Sequence, residues 1–573
     1  MTELPSTLFE RHFFQMISSK SGLIDPSVRK LISELITATF NKHSCLDLTL
    51  IDDTVKERLL TEPSIGGPED EKPLVLSRDK LYLSKFYHCE SDVAAMISAR
   101  NIPIDIPCPD HLAMSLTKHF GKTEHNRQKL AAFMAITRKL TIITGGPGTG
   151  KTSTVVKILD ILIEKTPDLV IKLVAPTGKA AMRLSDSISN WAKAKEKTLH
   201  VQTLHRLLGM RKDGRTWRHG PRNPLTADLL IVDEASMIDL MMMQRLLSAL
   251  TDNTRLIFLG DPDQLPSIDN GNVLADLCAG QKGFSSSFAQ LAKPFLGEIE
   301  IVKKAHLLTD AVCELNKSYR FDPDSSIGAL SKNIQAGQPA TQPTDASVSF
   351  KSDGQEPLIS NLLSYWKDYI DLLAEGRLDP KLLLRTFEQT RILCSRRGGE
   401  AGVEAINQDI ESALESKGIK SPDNTFYNGR PILITRNDYN IGLFNGDIGI
   451  SLSTQDGDQF VVNFPDAGKK ILASRLPQHE SCFAMTVHKA QGSEFSHVIL
   501  ALSEEISENP SNIITRELLY TAITRAKEKI SIHCDKNVWN RAVNLSSRRV
   551  SGMTEFFRIK TKKNQMLDQM ELL

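Results

Sequence analysis

The sequence lacks the cysteine spacing of a metal site or a disulfide framework. Its eight cysteines are scattered along the chain, and no two of them form a pair with two intervening residues. Closely spaced cysteine pairs are the usual sign of zinc or iron–sulfur binding, so neither is expected here. The pattern predicts reduced and mostly buried thiols, as in a protein of the cytosol.

The sequence also lacks a long apolar run and an excess of charge of one sign. No apolar stretch approaches the ~18 residues that cross a membrane, and the start MTELPSTLFERHFF does not have the pattern of a signal peptide. Seventy basic residues balance sixty-nine acidic ones. We therefore expect a soluble cytoplasmic protein, in which any nucleic-acid binding uses a local groove instead of a global positive charge.

The N-terminal part carries helical patterning but no recognisable chemistry. The 573 residues are enough for three or four domains of ~100–200 residues. In VRKLISELITATFNKH and SDVAAMISARN, apolar residues recur at spacings of three and four, which predicts amphipathic helices. Three prolines in NIPIDIPCPD then indicate a linker. We predict an N-terminal helical domain over residues 1–115.

From Asn126 onward, short apolar segments alternate with helical ones. LTII, IKLVAP, DLLIVDEAS and TRLIFLGDP are the predicted strands, and such alternation is typical of an α/β fold with a parallel sheet. We place one α/β domain at 116–310 and a second at 311–573. Asp213-Gly214 predicts a hairpin within about 208–224, and turn-separated strand segments predict a small all-β insert, a barrel, at about 424–480.

A phosphate-binding loop lies in TIITGGPGTGKTSTV. The eight residues that form it are Gly145, Gly146, Pro147, Gly148, Thr149, Gly150, Lys151 and Thr152. A strand precedes this loop and a helix follows it, which is the context in which backbone N–H groups point at phosphates. Lys151 adds a positive charge, and the Thr152 hydroxyl is a ligand for Mg²⁺.

Further residues complete an ATPase site. LLIVDEAS ends a strand with Asp233, for the Mg²⁺ shell, and Glu234, to polarise the attacking water. Gln264 in LGDPDQLPSI follows another strand and is placed to sense the γ-phosphate. Arg320 and Arg525 are candidates to stabilise the developing phosphoryl charge, a role worth ~10³–10⁵ in rate. ATP and Mg²⁺ are therefore the expected substrate and cofactor.

In order and wording, these motifs resemble those of superfamily-one helicases. The matching segments are NRQ, APTGKAA, TLHRLLG, VDEASM, GDPDQLPSI, NKSYRF, TVHKAQGSEF and YTAITRAK. VDEASMIDL, SYRF, GRPILITRND, TVHKAQGSEF and the N-terminal KLYLSKFYHCE are similar to the RecD subunits of the bacterial RecBCD enzyme, exodeoxyribonuclease V. About 115 residues precede the core, whereas the stand-alone relatives carry a longer N-terminal domain, and this difference favours the complex-forming subunit.

The resemblance implies a fold, an activity and partners. It implies two RecA-like motor domains, an SH3-like β insert and a strand-separating hairpin. It also implies an ATP-dependent DNA helicase that moves 5′ to 3′ on single-stranded DNA, acts in double-strand-break repair by homologous recombination and in degradation of linear DNA, and assembles with RecB and RecC. The N-terminal domain would dock on RecC.

The resemblance also assigns roles to single residues. Gln128 would read the adenine, Tyr319 would stack on it, and Glu494 would approach the ribose. The residues that would line the DNA track are Thr177, Thr203, His205, Thr486, His488 and Lys489. Trp217 in the hairpin could stack on a terminal base pair or simply pack against its neighbours.

Three alternatives compete with this assignment. A stand-alone helicase of the same branch would copurify without two large subunits. A motor-dead scaffold is disfavoured by the intact Lys151, Asp233, Glu234, Arg320 and Arg525. A nuclease in this chain is disfavoured because the sequence shows no convincing cluster of spaced carboxylates with a lysine, and the resemblance assigns nuclease chemistry to RecB.

Overall fold

The computed structural model describes residues 5–21, 24–106, 108–122, 126–197, 199–211, 213–280, 283–302, 306–320, 325–338, 345–351, 358–438, 440–454, 456, 459–502 and 514–558. Within these ranges, no helix is both long and apolar enough to cross a membrane. All eight cysteines are unpaired and six of them are buried, in agreement with the predicted thiols.

The N-terminal region contains the predicted helices and, in addition, a small sheet. Its elements are α1 (Pro5–Ser21), α2 (Pro26–Phe40), β1 (Cys45–Asp47), α3 (Asp53–Thr61), β2 (Ile65–Gly66), β3 (Leu74–Ser77) and β4 (Lys80–Leu83), with strand order β1-β4-β3-β2. Asp25 caps α2 by accepting hydrogen bonds from the backbone N–H groups of Ser27 and Val28. The sheet was not predicted, since strands of two to four residues are too short to show a period of two.

The next helices belong to the first motor domain by their packing. They are α4 (Ser84–Arg100), α5 (Pro109–Phe120) and α6 (Arg127–Thr137). Val93 and Ile97 of α4 share one buried core with Leu246 and Leu247 of the motor domain. The chain therefore joins the core of the motor domain from about residue 84, whereas the predicted N-terminal domain extends to residue 115, and the domain division stays a prediction.

The first motor domain is built on a six-stranded parallel sheet. In chain order its elements are β5 (Leu140–Thr144), α7 (Lys151–Lys165), β6 (Ile171–Ala175), α8 (Gly178–Ala194), β7 (Val201–Thr203), α9 (Leu204–Leu208), β8 (Leu229–Val232), α10 (Leu240–Ser248), β9 (Arg255–Gly260), α11 (Val273–Cys278), α12 (Ser286–Leu296) and β10 (Val312–Glu314). The strand order is β10-β5-β9-β8-β6-β7, and all pairs are parallel. Helices cover both faces of the sheet, so its central strands are continuous apolar runs.

The last strand of this sheet lies beyond residue 310, where the first motor domain is predicted to end. Val312 pairs with Ile142 and Glu314 pairs with Thr144, so β10 lies beside the strand that precedes the phosphate loop. The predicted division after residue 310 stays a prediction. The first sheet extends to Glu314, and the second motor domain begins beyond it.

The second half of the chain forms another parallel sheet with an inserted antiparallel one. Its elements are α13 (Ser326–Gln335), β11 (Val348–Lys351), α14 (Lys367–Ala374), α15 (Pro380–Phe387), β12 (Thr390–Cys394), α16 (Val403–Ser416), β13 (Arg430–Ile434), β14 (Ile448–Ser453), β15 (Phe460–Phe464), β16 (Lys469–Leu472), β17 (His479–Ser481), β18 (Ala484–Thr486), β19 (Phe495–Ala501), α17 (Arg516–Ile523), β20 (Ala526–His533), α18 (Lys536–Asn544) and α19 (Met553–Phe556). The parallel sheet has the order β11-β20-β19-β12-β18. Two α/β motor domains were predicted, and the structure contains two such sheets.

The insert is antiparallel, with the order β16-β15-β14-β13-β17. Ile432, Leu443, Val462 and Phe464 lie in its buried core. The predicted all-β insert is therefore present within nearly the predicted bounds. Its SH3-like character stays a prediction.

Candidate nucleotide and DNA site

The carboxyl ends of three neighbouring strands bring the predicted ATPase residues to one edge of the first sheet. Lys151 follows β5, Asp233 follows β8 and Gln264 follows β9, and these strands are adjacent in the order β5-β9-β8. Ligands of open parallel sheets bind in the crevice outside the carboxyl ends of the strands. The three side chains are thus placed around one crevice.

The backbone of the phosphate loop has the shape of a phosphate cradle. Gly150 has a φ of 80° and stands directly before α7. Gly148 has a φ of 75°, and a Cβ added there would lie 2.3 Å from the Cβ of Arg320, so both conformation and space require glycine. The Lys151 ammonium donates hydrogen bonds to the carbonyl oxygens of Gly145 (2.6 Å) and Gly146 (3.1 Å), which holds its charge over the loop.

The donor set beside Lys151 fits a hard divalent cation. The Thr152 hydroxyl in the first turn of α7 and the partly buried carboxylate of Asp233 offer oxygen atoms, the type of ligand that Mg²⁺ prefers. Burial raises the pKa of Asp233 and the carboxylate of Glu234 adds to this effect, while the charge of Lys151 opposes it. A bound cation would favour the charged carboxylate in the same way as Lys151 does.

Glu234 occupies a sparsely populated backbone conformation. Its φ is 51°, in the left-handed region, and it begins the short 3₁₀ turn Ala235–Met237. A side chain other than glycine is uncommon there, and such positions cluster at functional sites. The conformation turns the chain sharply after β8, at the edge where Asp233 lies.

Gln264 is buried and only half of its amide is engaged within the chain. Its Nε2 donates to Asp261 Oδ2 at 3.1 Å, and the Tyr520 hydroxyl donates to the same oxygen at 3.0 Å. The Oε1 of Gln264 has no hydrogen-bond partner among the described residues. Buried polar atoms are normally paired, so this oxygen is a candidate contact for a ligand or its water.

Glu494 lies at the centre of a cluster of positive charges that spans both motor domains. It forms ion pairs with Arg320 at 2.6 Å and with Arg183 at 2.5 Å. Burial alone would raise the pKa of Glu494, but the charges of Arg183 and Arg320 outweigh burial and hold it at about 2. The carboxylate therefore stays ionised at any pH at which the protein would work. Its predicted contact with the ATP ribose stays a prediction.

Arg183 is a site residue that sequence reasoning missed. It projects from α8 of the first motor domain, and its Nη1 donates to the Gly492 carbonyl of the second at 2.6 Å. Its only sequence signal is a position one turn after Lys179 in APTGKAAMR. Many helices carry such a lysine–arginine spacing on a solvated face, so the signal alone does not identify a site.

Arg525 is buried beside the same cluster. Its guanidinium donates to the carbonyl oxygens of Thr521 (3.1 Å) and Ser493 (3.2 Å). Burial lowers the pKa of Arg525, and the carboxylates of Glu234 and Glu494 oppose that effect. The structure thus brings Arg320 and Arg525 together, as their predicted roles require.

Two predicted nucleotide contacts lie at the phosphate loop. Gln128 Nε2 donates to the carbonyl oxygen of Thr149 at 3.1 Å, so in this structure its amide supports the loop backbone. Tyr319 is 63% exposed, and its backbone N–H donates to the Gly148 carbonyl at 2.8 Å. A ring in this position is open to a planar partner, and its stacking on adenine stays a prediction.

The three predicted DNA-contacting threonines lie at strand ends. Thr177 follows β6 and caps α8, where it accepts a hydrogen bond from the Ala180 N–H. Thr203 ends β7 and caps α9, where it accepts a hydrogen bond from the Arg206 N–H. Thr486 ends β18 of the second sheet. A cap uses the hydroxyl as an acceptor and leaves its proton available. The roles of these residues in DNA binding stay predictions.

The other three predicted DNA contacts differ in charge. Burial lowers the pKa of His205 and of His488, so both rings are neutral at pH 7 and act through hydrogen bonding or stacking. Lys489 is exposed and pairs with Glu480 at 2.6 Å. Lys489 is therefore the residue of the set that can neutralise a phosphate.

Two family descriptions match this chain. An AAA domain matches residues 128–270, and a UvrD-like helicase C-terminal domain matches residues 481–532. The RecBCD enzyme subunit RecD of Mycolicibacterium smegmatis is 33% identical over 586 aligned residues, which cover 96% of each chain. RecD of Haemophilus influenzae is 35% identical over 78% of this chain and 74% of its own.

The chain belongs to the RecD family. It is therefore an ATP-dependent DNA helicase of recombination repair, in agreement with its motifs. The ATP-dependent RecD2 DNA helicase of Deinococcus radiodurans is 27% identical over 83% of this chain but only 59% of its own length. The solved Bacteroides Pif1 helicase with ADP-AlF3 and single-stranded DNA is 18% identical, with a TM-score of 0.37, over 78% of this chain and 96% of its own.

The predicted hairpin of this RecD chain is short and its tryptophan is packed. Met210 bridges Trp217, and Asp213 closes the turn by accepting from the N–H groups of Arg215 and Thr216. Trp217 is only partly exposed and packs against the core of the first motor domain. The Arg245 guanidinium lies 4.8 Å from its ring centroid. These contacts favour packing as the role of Trp217 over stacking on a terminal base pair.

Proposed function

We propose that ATP binds in the cleft between the motor domains and that its hydrolysis drives 5′-to-3′ movement on single-stranded DNA. The observation that carries this proposal is the cluster around Glu494. It joins Arg183 of the first motor domain to Arg320 and, at longer range, Arg525, beside the phosphate loop. Charged groups from both sides of the cleft meet at the nucleotide site. Whether the cleft is open or closed would therefore depend on the bound nucleotide.

The arginines supply charge where it develops in the transition state. Negative charge spreads over the transferred phosphoryl group, and preorganised donors in a water-excluded site stabilise it most strongly. In the structure, Glu494 forms ion pairs with Arg183 and Arg320. The γ-phosphate would compete with Glu494 for these guanidinium groups, so ATP binding would rearrange the ion pairs that join the two domains.

The remaining roles follow from position. Glu234 would polarise the attacking water, and Gln264 Oε1, which has no partner among the described residues, would accept a hydrogen bond from that water and so sense the γ-phosphate through it. Asp233 and Thr152 would hold Mg²⁺, which supplies charge neutralisation of the phosphates when bound.

We further propose that the chain works in the cytoplasm as the RecD subunit of a heterotrimer with RecB and RecC. Support comes from relatives that are named RecBCD subunits and that match over most of both chains. A stand-alone helicase is the alternative. The match to the Deinococcus radiodurans helicase, which covers 59% of that protein, gives this alternative less support.

The polarity is tested on single-stranded DNA that carries streptavidin on a terminal biotin. The purified full chain should displace streptavidin from the 3′ end and leave it on the 5′ end, in an ATP-dependent manner. Displacement from the 5′ end alone would refute the proposed direction. The same preparation should hydrolyse ATP faster with single-stranded DNA than without it.

Lys489→Ala should reduce the DNA-stimulated ATPase rate more than the basal rate. Lys489 is remote from the phosphate loop in sequence but is the charged member of the predicted DNA track, so its loss removes a phosphate contact and lowers the salt dependence of DNA binding by about one counterion. The measurements are ATPase titrations with single-stranded DNA at several salt concentrations. Because the two histidines are neutral, the overall salt dependence should be moderate.

Lys293→Ala is the matched control for this prediction. Lys293 also pairs with a glutamate, Glu298, at 2.6 Å, but it lies on α12, away from the strand ends that carry the track. It should change neither rate. Equal loss of basal and stimulated rates in Lys489→Ala would place Lys489 at the nucleotide instead.

A further inference from the structure

The C-terminal strap, residues 546–557, crosses from the second motor domain to the first. It starts at α17, where Glu517 accepts hydrogen bonds from the Ser546 hydroxyl and the Ser547 N–H, both at 2.7 Å. It ends in the first motor domain, where Met553 and Phe557 are buried in the core that contains Val93 and Leu246. Residue 547 thus belongs to one domain by its contacts and residue 553 to the other.

Arg549 binds the loop that follows Gln264. We call residues 267–271 the sensor loop. The Arg549 guanidinium donates to four of its oxygens: the Ser267 hydroxyl and carbonyl and the carbonyls of Asp269 and Gly271, the last at 2.7 Å. Burial lowers the pKa of Arg549 to about 10, although nearby carboxylates oppose it, so the side chain is still charged. Hydrogen bonds from a charged donor are the stronger kind.

The sensor loop is also bound from the N-terminal region. Asn270 Nδ2 donates to the carbonyl oxygens of Thr39 at 2.7 Å and His43 at 2.9 Å. The Gly271 N–H donates to the Lys42 carbonyl at 3.2 Å. The end of α2 and the segment that follows it therefore lie directly against the loop.

The strap itself completes the junction with the N-terminal region. The Val550 N–H donates to His43 Nδ1 at 2.8 Å, and the Ser44 N–H donates to the Val550 carbonyl at 3.1 Å. The Gly552 N–H donates to Glu90 at 3.0 Å. Sensor loop, strap and N-terminal region thus form one hydrogen-bonded unit.

Residues 261–265, which precede the sensor loop, contact the second motor domain. The Tyr520 hydroxyl donates to Asp261 and the Thr521 hydroxyl accepts from the Leu265 N–H at 2.8 Å. Both residues lie on α17, the helix whose Glu517 anchors the strap. If α17 shifts relative to the first sheet, it therefore acts on residues 261–271 at two points. One point is the contact of Tyr520 and Thr521 with Asp261 and Leu265, and the other is the contact of Arg549 with the sensor loop.

We propose that Arg549 is a positioning residue that couples nucleotide state to the N-terminal region by tying the sensor loop to α17. The inference rests on the proposed nucleotide site and on the role of Gln264. Coupling of this kind is reciprocal, so whatever binds the N-terminal region should change the use of ATP, and nucleotide binding should change the affinity of that region for its partner.

The test measures how much ATP the full chain hydrolyses per nucleotide of single-stranded DNA travelled. Arg549→Ala should raise this ratio by at least about fivefold, with the KM for ATP changed little, since no nucleotide contact is removed. Asn270→Ala removes the loop's side-chain contact with the N-terminal region and should raise the ratio as well. The double variant should be no worse than the more affected single variant, because both break one connection.

Arg548→Ala is the matched control, since Arg548 is the exposed neighbour on the same strap, and it should leave the ratio unchanged. An unchanged ratio in Arg549→Ala would overturn the proposal. The proposal would also be overturned if hydrolysis and movement fell by the same factor in Arg549→Ala and its melting temperature fell as well. That result would show that Arg549 only stabilises the fold. Lys151→Gln, measured alongside, tests the nucleotide site separately, since retained ATPase activity in that variant would refute the proposed function itself.

Discussion

Arg525→Ala is expected to lower the rate of ATP turnover by about 10³–10⁵-fold while changing ATP binding far less. The reason is that charge builds on the phosphoryl group in the transition state, so a guanidinium aimed at it stabilises that state more than the ground state. Arg525 is buried beside Glu234 and Glu494, where its interactions are weakly screened. Single-turnover hydrolysis and nucleotide-binding titrations separate the two effects.

Arg320→Ala should behave in the same way, because Arg320 shares Glu494 with Arg183. Lys527→Ala is the control: Lys527 lies 3.8 Å from Glu494 but is half exposed, so its contribution is screened and small. Loss of ATP binding with normal turnover of bound ATP, in either arginine variant, would contradict the assignment.

The grouping of the predicted ATPase residues at one sheet edge was predictable because these residues follow strands. A parallel sheet brings the carboxyl ends of its strands to one edge, so Lys151, Asp233 and Gln264 could be placed together from sequence alone. The glycines of the phosphate loop carry the same information, since a φ of 75° at Gly148 is a local requirement. Local geometry and sheet topology therefore determine this part of the site.

Contacts between distant segments were not predictable in this way. Arg183, Tyr520 and Arg549 contact residues 259 to 311 positions away in the chain, and the sequence alone did not indicate these contacts. The short strand near the predicted domain boundary was missed for a related reason. Val312–Glu314 is only a three-residue strand, and its place in the first sheet depends on pairing with β5.

The packing of α4 changes how the N-terminal region can be tested. Deleting residues 1–110 would remove Val93 and Ile97 from the motor-domain core, and the loss of buried aliphatic side chains destabilises by several kcal/mol each, about 2–5 for truncation to alanine. Such a deletion cannot spare the nucleotide site. Surface substitutions on α1 can, because that helix lies outside the shared core.

The apolar surface of α1 and α2 is the candidate docking surface for RecC. Leu8, Phe9, Met16 and Phe40 are each at least 40% exposed, and Phe9 stacks on Phe13 and meets Phe40 edge-on. Contiguous exposed apolar side chains are characteristic of protein interfaces. A stable interface buries at least ~1,000 Å², so this surface would form part of a larger contact.

Lys151→Gln should reduce ATP hydrolysis by at least about 10²–10³-fold and stop movement on DNA, while the chain still copurifies with RecB and RecC. The substitution removes the charge that holds the phosphates, and among the described residues the hydrogen bonds of Lys151 go to carbonyls of its own loop. The measurements are a DNA-stimulated ATPase assay and a pull-down from cells that express all three subunits.

The double substitution Leu8→Glu, Met16→Glu should give the opposite result, normal DNA-stimulated ATPase with lost copurification. It places two charges in the apolar surface, and an unpaired charge buried in an interface is strongly unfavourable. Leu60→Glu on α3 is the control, since Leu60 is equally apolar and 73% exposed but lies apart from that surface. If the double variant assembled normally, the partners would have to bind the motor domains, and the docking role of the N-terminal region would be wrong.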